Sequence, residues 1–569
     1  MVGFRQRLAW ASGQNPDRSR SPTRPLPLSN TLKSWVEKWA WGKCPAVELA
    51  RSAQTYLADH QHLRPRDIDD RIRSLARAAV HPQNAERVVE QLVPVEDVGK
   101  IEQLPATGLV HTLLQPFELF HWLRTTSPTK FQHHLGADAN GVQEWWTKFR
   151  SSPSGAEMWA EHPFLRHRSP ADLRHHLPLG IFDDAGPFSK KHSTFVRCWY
   201  SILGAGSEKL TRFVMGTGIK EDKDDASWEA LMRSFEQLAQ PVAPGSWGVI
   251  LLFVGADLEF MCNVLGLPHF NSKSPCAECE ANDSTLPYNQ FQMTAPWRGT
   301  EKTTERYKAC CRHPLHPIVA HAWFSRFSFR QDLLHMIDHH GVANHVAGNV
   351  FWHHVSSERE TEVLPGDTVA DRLGFLNADL RAFNRATGVQ ERLPSLILDN
   401  LKSGHFPELH GSGIKAANTR ACSSYVAGLQ ERAVALNPTR RQRHMLRVAT
   451  SLRDIIDLLY ASSCFLSDAA KRDLRAHLLR LGQHHQALQV MELNAGRPRW
   501  KTTVKLHYVV GHLGSQADLI NPRYVQGYRS ESMVGQVCGI YAASDSGPHT
   551  QVQRVTMQKY RTGLKLLWV

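Results

Sequence analysis

A buried strand is the clearest element that the pattern of hydrophobic and polar positions predicts. Residues 247–256 form a run of large and β-branched apolar side chains that ends at Asp257. The run is too short to cross a bilayer and has no polar face, so it predicts a strand that is buried on both sides. Because ligands of open α/β sheets gather beyond the carboxyl ends of strands, Asp257 is a candidate site residue. The alternative is an aspartate that only caps the next helix.

Three further strands and a helix are predicted before this run. Apolar stretches predict strands at 177–182, 193–203 and 210–215, and helical spacing predicts an amphipathic helix that follows them. The first strand ends at two adjacent acids, of which we select Asp184 as the candidate site residue. This order of elements predicts an α/β fold with an RNase H-like mixed sheet, whose first part is residues 165–265. The alternative is an ordinary α/β sheet with an Asp-Asp turn at its surface.

Helical periodicity dominates the remainder of the chain. It predicts a helical N-terminal region over residues 31–150, preceded by a disordered basic arm at 1–30 that is rich in Ser, Pro and Arg. Residues 266–500 are predicted to be a large, mainly helical insertion, and residues 501–569 to complete the core. In this last segment Ser530 is predicted to cap a helix with Glu531 in its first turn. The alternative is a glutamate that only complements the helix dipole.

Charge and cysteine usage narrow the class of protein. The chain has 569 residues and a formal net charge of +13, which favours a polyanionic partner such as nucleic acid over a membrane surface. No apolar stretch is long enough to span a membrane, and the N-terminus lacks the apolar core of a secretory signal, so a soluble intracellular protein is expected. The ten cysteines are irregularly spaced, unlike an extracellular disulfide framework, which favours a reducing compartment.

A Cys-x-x-Cys pair, Cys276 and Cys279, is a candidate for metal binding. Two cysteines and two histidines follow further along the chain, and from them we take Cys311 and His313 as the second pair of ligands. Two thiolates with a later Cys/His pair are ligands of a tetrahedral structural Zn²⁺ site. The alternative is a set of buried free thiols.

A segment rich in His and Asp offers a different interpretation. Asp332, His335 and Asp338 are interleaved with apolar side chains at helical spacing. One hypothesis is a metallohydrolase site built on these side chains. A packing helix with a polar face is the alternative.

Taken in order, these motifs resemble the DDE-type transposases, most closely the CACTA-like group and its relatives with a cysteine pair behind the second acid. The resemblance covers residues 165–545. Asp257 matches the family's second Asp, and Cys276 and Cys279 match its Cys-x-x-Cys. Asp332 and His335 match its Asp-x-x-His, and His507 and His512 match its late His pair. Glu531 and Gly535 match its helix-borne Glu with the Gly that follows.

The resemblance implies a DNA transposase that cuts and joins phosphodiester bonds at element ends by two-metal-ion catalysis. It implies that Asp184, Asp257 and Glu531 hold Mg²⁺ or Mn²⁺, because hard cations take oxygen ligands. It also implies DNA as the partner, both element ends and target, and the nucleus as the compartment. No membrane contact is expected, and a homo-oligomer is compatible with the resemblance. Two alternatives remain: a degenerate copy without activity, and a non-catalytic nucleic-acid-binding protein on a transposase-derived scaffold.

Overall fold

The structure of the protein is a computed structural model that describes residues 28–64, 68–80, 84–106, 109–189, 191–222, 224–240, 243, 245–403, 405–544 and 548–569. Almost all of the basic arm predicted at 1–30 lies outside these residues. The chain divides into two compact units, the first ending at Leu92 and the second containing Val93–Val569 with the short segment Ala40–Cys44. The sheet and both groups of candidate site residues belong to the second unit.

The described part of the first unit is helical, as the periodicity predicts. Its helices are α1 (Asn30–Ala40), α2 (Ala46–Asp59), α3 (Asp70–Ala78) and α4 (Ala85–Leu92). Each is amphipathic, and residues such as Leu49, Leu75 and Val89 are buried. Asp69 caps α3, since its carboxylate accepts a hydrogen bond of 2.9 Å from the backbone N–H of Arg71.

A mixed sheet forms the centre of the second unit. Its described strands are β1 (Ile101–Ala106), β2 (Leu109–Leu114), β3 (His176–Pro187), β4 (Ser193–Ser201), β5 (Phe213–Ile219), β6 (Gly248–Ala256) and β7 (Phe329–Gln331). They lie in the order β1-β2-β5-β4-β3-β6-β7. The hairpin β1–β2 corrects the prediction of a wholly helical region over 31–150. Pairing of β2 with β5 extends the sheet and buries Leu113 and Leu114, which a helix there would not place against the sheet.

Strand direction changes across the sheet. β3, β4 and β5 pair antiparallel, whereas β6 runs parallel to β3, and β7 runs parallel to β6. The carboxyl ends of β3, β6 and β7 therefore lie along the same edge. Phe182 pairs with Gly255 across β3 and β6, and Ala256 pairs with Gln331 across β6 and β7. This register determines which side chains meet beyond that edge.

The remaining regular structure is almost entirely helical. These helices are α5 (Pro116–Thr126), α6 (Pro128–Leu135), α7 (Ala139–Ser151), α8 (Pro153–Glu161), α9 (Glu208–Thr211), α10 (Asp225–Ala239), α11 (Thr304–Ala309), α12 (Pro317–Ala320), α13 (Val342–Val355), α14 (Val369–Ala386), α15 (Ala416–Leu436), α16 (Arg440–Ala461), α17 (Asp468–Asn494), α18 (Val504–Leu519), α19 (Tyr528–Ala542) and α20 (His549–Trp568). A short pair of strands, β8 (Lys402–Ser403) and β9 (Phe406–Pro407), lies between α14 and α15. None of the described helices combines the length and the apolar character that crossing a membrane requires.

Helices cover both faces of the sheet. α10 packs on one face, where the guanidinium of Arg197 in β4 donates a hydrogen bond of 2.5 Å to Ser227 Oγ. α19 packs on β3 and β4, and α20 on β2 and β5. Gly186 of β3 lies so close to α19 that a Cβ there would come within 2.7 Å of Cys538 Sγ. Helices α13 to α18 form a second layer around one apolar core that includes Phe351, Leu452 and Val509.

Candidate functional site

Two aspartates meet beyond the carboxyl ends of β3 and β6. Asp184 and Asp257 each lie two residues past the paired residues Phe182 and Gly255, so the parallel register brings them side by side. The Oδ1 atom of Asp257 accepts a hydrogen bond of 2.7 Å from the N–H of Phe260. Asp183 faces the opposite side of the sheet, fully buried, with its carboxylate 3.5 Å from Arg197 Nε. The structure thus favours Asp184 over its neighbour.

A third acid occupies the equivalent place after β7. Asp332 follows Gln331, the partner of Ala256, and its side chain is fully buried. One carboxylate oxygen accepts a hydrogen bond of 2.5 Å from the backbone N–H of Gly527, and the other lies 2.8 Å from His335 Nδ1. The Asp-x-x-His motif was the sequence signal for this position. It placed Asp332 and His335 in the family resemblance and in a separate metallohydrolase hypothesis, but not in one site with Asp184, Asp257 and Glu531.

Asp332 fixes the start of α19. A Cβ at Gly527 would lie 2.3 Å from Asp332 Oδ2, so only glycine allows this contact. The helix begins at Tyr528 with Gly527 before it, and Glu531 lies in its first turn. Ser530 does not cap the helix as predicted: it lies inside the helix, buried, and its hydroxyl accepts a hydrogen bond of 3.1 Å from Arg212 Nε.

Glu531 reaches the edge of the sheet, and Asp184, His335 and Glu531 each place a ligand atom within 4.8 Å of the others. Glu531 Oε1 is 3.7 Å from His335 Nε2, and it is buried without a hydrogen-bond partner among the described residues. Asp257 is not a member of this group but lies beside it. We call Asp184, Asp257, His335 and Glu531 the carboxylate cluster.

Burial and mutual repulsion dominate the electrostatics of the carboxylate cluster. Burial, together with the neighbouring carboxyl of Asp184, raises the pKa of Glu531 far above its usual value. Burial and the charge of Asp184 also raise the pKa of Asp257. Burial alone lowers the pKa of His335, but the hydrogen bond and charge of Asp332 raise it above the usual value. Such a set of acids, with one unpartnered buried oxygen, fits a divalent cation, which removes the repulsion.

A cavity of about 560 Å³ opens beside the carboxylate cluster, lined among others by Asp257 and His335. Lys501 and Lys505 contribute two positive charges to its wall, and Phe270, whose side chain is 56% exposed, contributes an aromatic surface. Burial lowers the pKa of Lys505 to about 8, and its ammonium donates a hydrogen bond of 2.9 Å to the carbonyl of His340. The cavity therefore combines cationic and aromatic groups next to acidic ligands.

A second group of ligands consists of two cysteines and two histidines. The ligand atoms of Cys276, Cys279, His507 and His512 all lie within 4.8 Å of one another, and all four side chains are buried. Cys276 Sγ is 3.3 Å from His512 Nε2, and Cys279 Sγ is 3.4 Å from His507 Nε2. These residues can hold a metal ion, and a Cys₂His₂ donor set is one that tetrahedral Zn²⁺ takes. We call them the Cys/His cluster.

The surroundings of the Cys/His cluster orient its ligands. His507 Nδ1 donates a hydrogen bond of 2.9 Å to the carbonyl of Tyr288, which leaves Nε2 directed at the cysteines. The Lys302 ammonium donates hydrogen bonds of 2.8 and 2.6 Å to the carbonyls of Cys276 and Cys279. Burial lowers the pKa of His512, but the Cys276 thiol group raises it to about 9.

The second pair of metal ligands differs from the sequence prediction. Cys311 is buried, two residues past the end of α11, and its Sγ lies 3.6 Å from the carbonyl of Tyr307, while His313 is exposed. Neither is a member of the Cys/His cluster, so this pair is corrected to His507 and His512. Both histidines lie in α18, far along the chain from the cysteines. Their His-x-x-x-x-His spacing was visible in the sequence but did not identify their partners.

The segment that suggested a separate His/Asp metallohydrolase contributes to the carboxylate cluster instead. Leu334–Asp338 is a single π-helical turn, and of its polar side chains His335 faces the carboxylates. Asp338 is buried and accepts a hydrogen bond of 2.6 Å from the hydroxyl of Tyr528. The two side chains therefore have different surroundings and do not form one site.

No protein-family profile matches the chain, and no curated protein is significantly similar to it in sequence. The carboxylate cluster and the Cys/His cluster are therefore the basis on which a function is assigned. Both lie in the second compact unit.

Proposed function

We propose that the protein is a DDE-type DNA transposase with an RNase H-like core, which cuts and joins phosphodiester bonds with the help of divalent cations. The observation that supports this most is the convergence of Asp184, Asp257 and Glu531, which come from two neighbouring parallel strands and from a helix distant in sequence. The strand order β5-β4-β3-β6-β7, with its first three strands antiparallel, also supports it.

The chain's own residues have distinct roles in this proposal. When bound, Mg²⁺ or Mn²⁺ would activate the attacking oxygen and stabilise the leaving one. Asp184, Asp257 and Glu531 would supply the oxygen ligands. Asp332 positions two groups at once, because it holds the start of α19 through Gly527 and orients His335 through Nδ1. A protonated His335 can then donate a hydrogen bond from Nε2 to a phosphate oxygen.

The Cys/His cluster has a structural role in the same proposal. Zn²⁺ held by Cys276, Cys279, His507 and His512 would join the segment after β6 to α18. Four protein ligands leave no open position for a substrate, which is the arrangement of structural rather than catalytic zinc.

DNA is the substrate that the charge of the molecule suits best. The net charge of +13 and the cavity with Lys501 and Lys505 beside Asp257 favour a polyanion. The exposed ring of Phe270 offers a surface on which an unpaired base can stack. The proposal therefore includes element ends and target DNA as partners, with the nucleus as the compartment.

A nicking assay with a matched pair of variants tests the proposal. The wild-type protein is expected to nick supercoiled DNA in Mg²⁺ and to stop when EDTA is added. Asp257→Asn is expected to lower the nicking rate more than about a hundredfold while DNA binding stays unchanged, because the amide keeps the shape but not the charge that holds the cation. Asp473→Asn, at an exposed position in α17, is the control and should nick like the wild type.

Two results would count against this assignment. If Asp257→Asn nicks as fast as the wild type, the carboxylate cluster is not the catalytic centre. If the wild-type protein binds DNA tightly but never cleaves it in Mg²⁺ or Mn²⁺, the non-catalytic alternative replaces the enzyme.

A further inference from the structure

A second cavity, of about 360 Å³, is lined by an unusual set of side chains. Four arginines line it, Arg212, Arg420, Arg523 and Arg529, together with tyrosines that include Tyr460 and Tyr528. No aspartate or glutamate of the described residues contributes to the lining. We call this space the arginine cavity.

The four guanidinium groups are held without carboxylates. The guanidinium carbon of Arg212 lies 3.9 Å from the ring centre of Tyr200, and that of Arg420 lies 4.2 Å from the ring centre of Tyr528. Arg523 lies over Tyr460 and donates to the backbone carbonyl of that residue. Within the described part of the chain, no carboxylate forms an ion pair with any of these four arginines. Stacking on aromatic rings fixes the guanidinium planes of Arg212, Arg420 and Arg523 and leaves N–H groups available. Arg529 instead donates a hydrogen bond of 3.4 Å to the carbonyl of Gly204.

Concentrated positive charge of this kind is unfavourable without an anion. Arginine side chains remain charged at neutral pH, so the four cannot relieve their repulsion by losing protons. Arg212 is only 5% exposed, and burial, together with the charge of Arg529, lowers its pKa. Asp338, a buried acid whose charge acts on Arg420, is not in the lining and accepts a hydrogen bond from the hydroxyl of Tyr528. A bound phosphate would accept bidentate hydrogen bonds from the guanidinium groups and offset the repulsion among their charges.

The arginine cavity adjoins the carboxylate cluster through the first turn of α19. Tyr528 and Arg529 line the cavity, and Glu531 belongs to the cluster. Ser530, between them, accepts a hydrogen bond from Arg212. An anion in the cavity and a phosphate at the cluster would therefore lie on either side of one helical turn.

We propose that the arginine cavity binds a backbone phosphate of the DNA strand that reacts at the carboxylate cluster, next to the scissile phosphate. This inference rests on the proposed function, because it takes the strand to be DNA. The cavity holds no more than about one nucleotide, since small-molecule sites of this volume are at the lower end of their size range. It therefore recognises a strand rather than a duplex, and it sets the position of the strand relative to the carboxylate cluster.

DNA binding by two double variants tests the proposal. Arg420→Gln with Arg529→Gln removes two charges from the cavity. Arg385→Gln with Arg472→Gln removes two charges from exposed positions that form no ion pair with any described residue. The probe is a fluorescein-labelled duplex with a single-stranded extension, measured by anisotropy in EDTA so that cleavage cannot occur. The cavity variant is expected to bind about tenfold or more weakly, with a salt slope lower by about one, and the control less than about twofold more weakly.

Further measurements make each outcome decisive. Equal DNA affinity of the two double variants would overturn the proposal. A second result would also overturn it: inorganic phosphate or thymidine monophosphate binds tightly and needs Arg420 and Arg529, whereas DNA affinity does not depend on them. The cavity would then bind a free phosphate compound rather than a DNA strand. If the double variant does not fold, Arg529→Gln alone, at an exposed position, should still weaken DNA binding by about threefold.

The same measurements separate this inference from the proposed function. If Asp257→Asn still nicks DNA but the cavity variant binds weakly, the catalytic assignment fails and the phosphate site stands. If Asp257→Asn abolishes nicking and the cavity variant binds like the wild type, the catalytic assignment stands and the phosphate site fails.

Discussion

Glu531 shows how one residue in the carboxylate cluster links protonation to stability. Its side chain is 30% exposed, one oxygen has no hydrogen-bond partner among the described residues, and Asp184 lies beside it. Its pKa in the folded protein is raised, so the folded state binds this proton more tightly than the unfolded state. The resulting stabilisation is complete below the unfolded pKa of about 4.3 and is lost as the pH rises towards the folded value.

Replacing Glu531 by Gln should therefore stabilise the metal-free protein at high pH. In EDTA at pH 8, where the wild-type protein loses the stabilising contribution of the proton, we expect Glu531→Gln to raise the free energy of unfolding by about 1–2 kcal/mol. At pH 5 the difference should shrink, because this pH is close to the unfolded pKa and the wild-type protein has lost little of the proton's stabilising contribution. Thermal unfolding at the two pH values measures this.

Glu391→Gln provides the control, because Glu391 is exposed and is not a member of the carboxylate cluster. Mg²⁺ should raise the unfolding temperature of the wild type and of this control but not of Glu531→Gln, since a ligand stabilises only a protein that binds it. Equal unfolding temperatures of the wild type and Glu531→Gln at both pH values would show that burial and the neighbouring carboxylates do not raise the pKa of Glu531.

At the scale of elements, α18 connects the Cys/His cluster to the cavity beside the carboxylates. Lys505, near its start, lines that cavity, and His507 and His512 face the cysteines. Lys505 is held by hydrogen bonds to the carbonyls of His339 and His340, within the turn that follows His335. A metal that fixes α18 would also fix Lys505 relative to the carboxylate cluster. Loss of this metal should therefore affect both folding and DNA binding.

Removing the cysteine pair should remove one metal ion. We expect about one Zn²⁺ per chain in the wild-type protein by elemental analysis, and none in the double variant Cys276→Ala, Cys279→Ala. The variant should be less stable by about 4 kcal/mol or more, because loss of a structural metal is among the largest single-site effects.

Cys311→Ala distinguishes this site from the one predicted from the sequence. Cys311 is a buried thiol outside the Cys/His cluster, so its variant should keep the metal and lose only a little packing. If instead Cys311→Ala loses the metal and the Cys276, Cys279 double variant keeps it, the assignment of His507 and His512 is wrong.

For the whole molecule, local patterns in the sequence indicated the sheet better than the site. The apolar runs at 177–182 and before Asp257 each predicted a strand, because each pattern lies within one element. The hairpin at 101–114 was missed, since its two short strands gain their burial only by pairing with β5. The partners of Cys276 and Cys279 were also missed, because His512 is 236 residues from Cys276 and no local pattern connects them.

Charge, in contrast, acts over the whole molecule and leads to the last prediction. A chain with a net charge of +13, a lysine-lined cavity and an arginine cavity should release several counterions when it binds DNA. With about 6–10 phosphate contacts, affinity should fall by about 10³–10⁵ between roughly 50 and 200 mM salt. Anisotropy titrations over this range measure the slope.

An oligonucleotide of the same sequence with a neutral methylphosphonate backbone is the control for this titration. It presents the same bases without phosphate charge, so it should bind weakly and show almost no dependence on salt. A flat salt dependence for the phosphate oligonucleotide would mean that the excess of Lys and Arg serves solubility or internal packing rather than a polyanionic partner. Arg420 and Arg529 would then have no DNA strand to position, and the carboxylate cluster would need a substrate other than DNA.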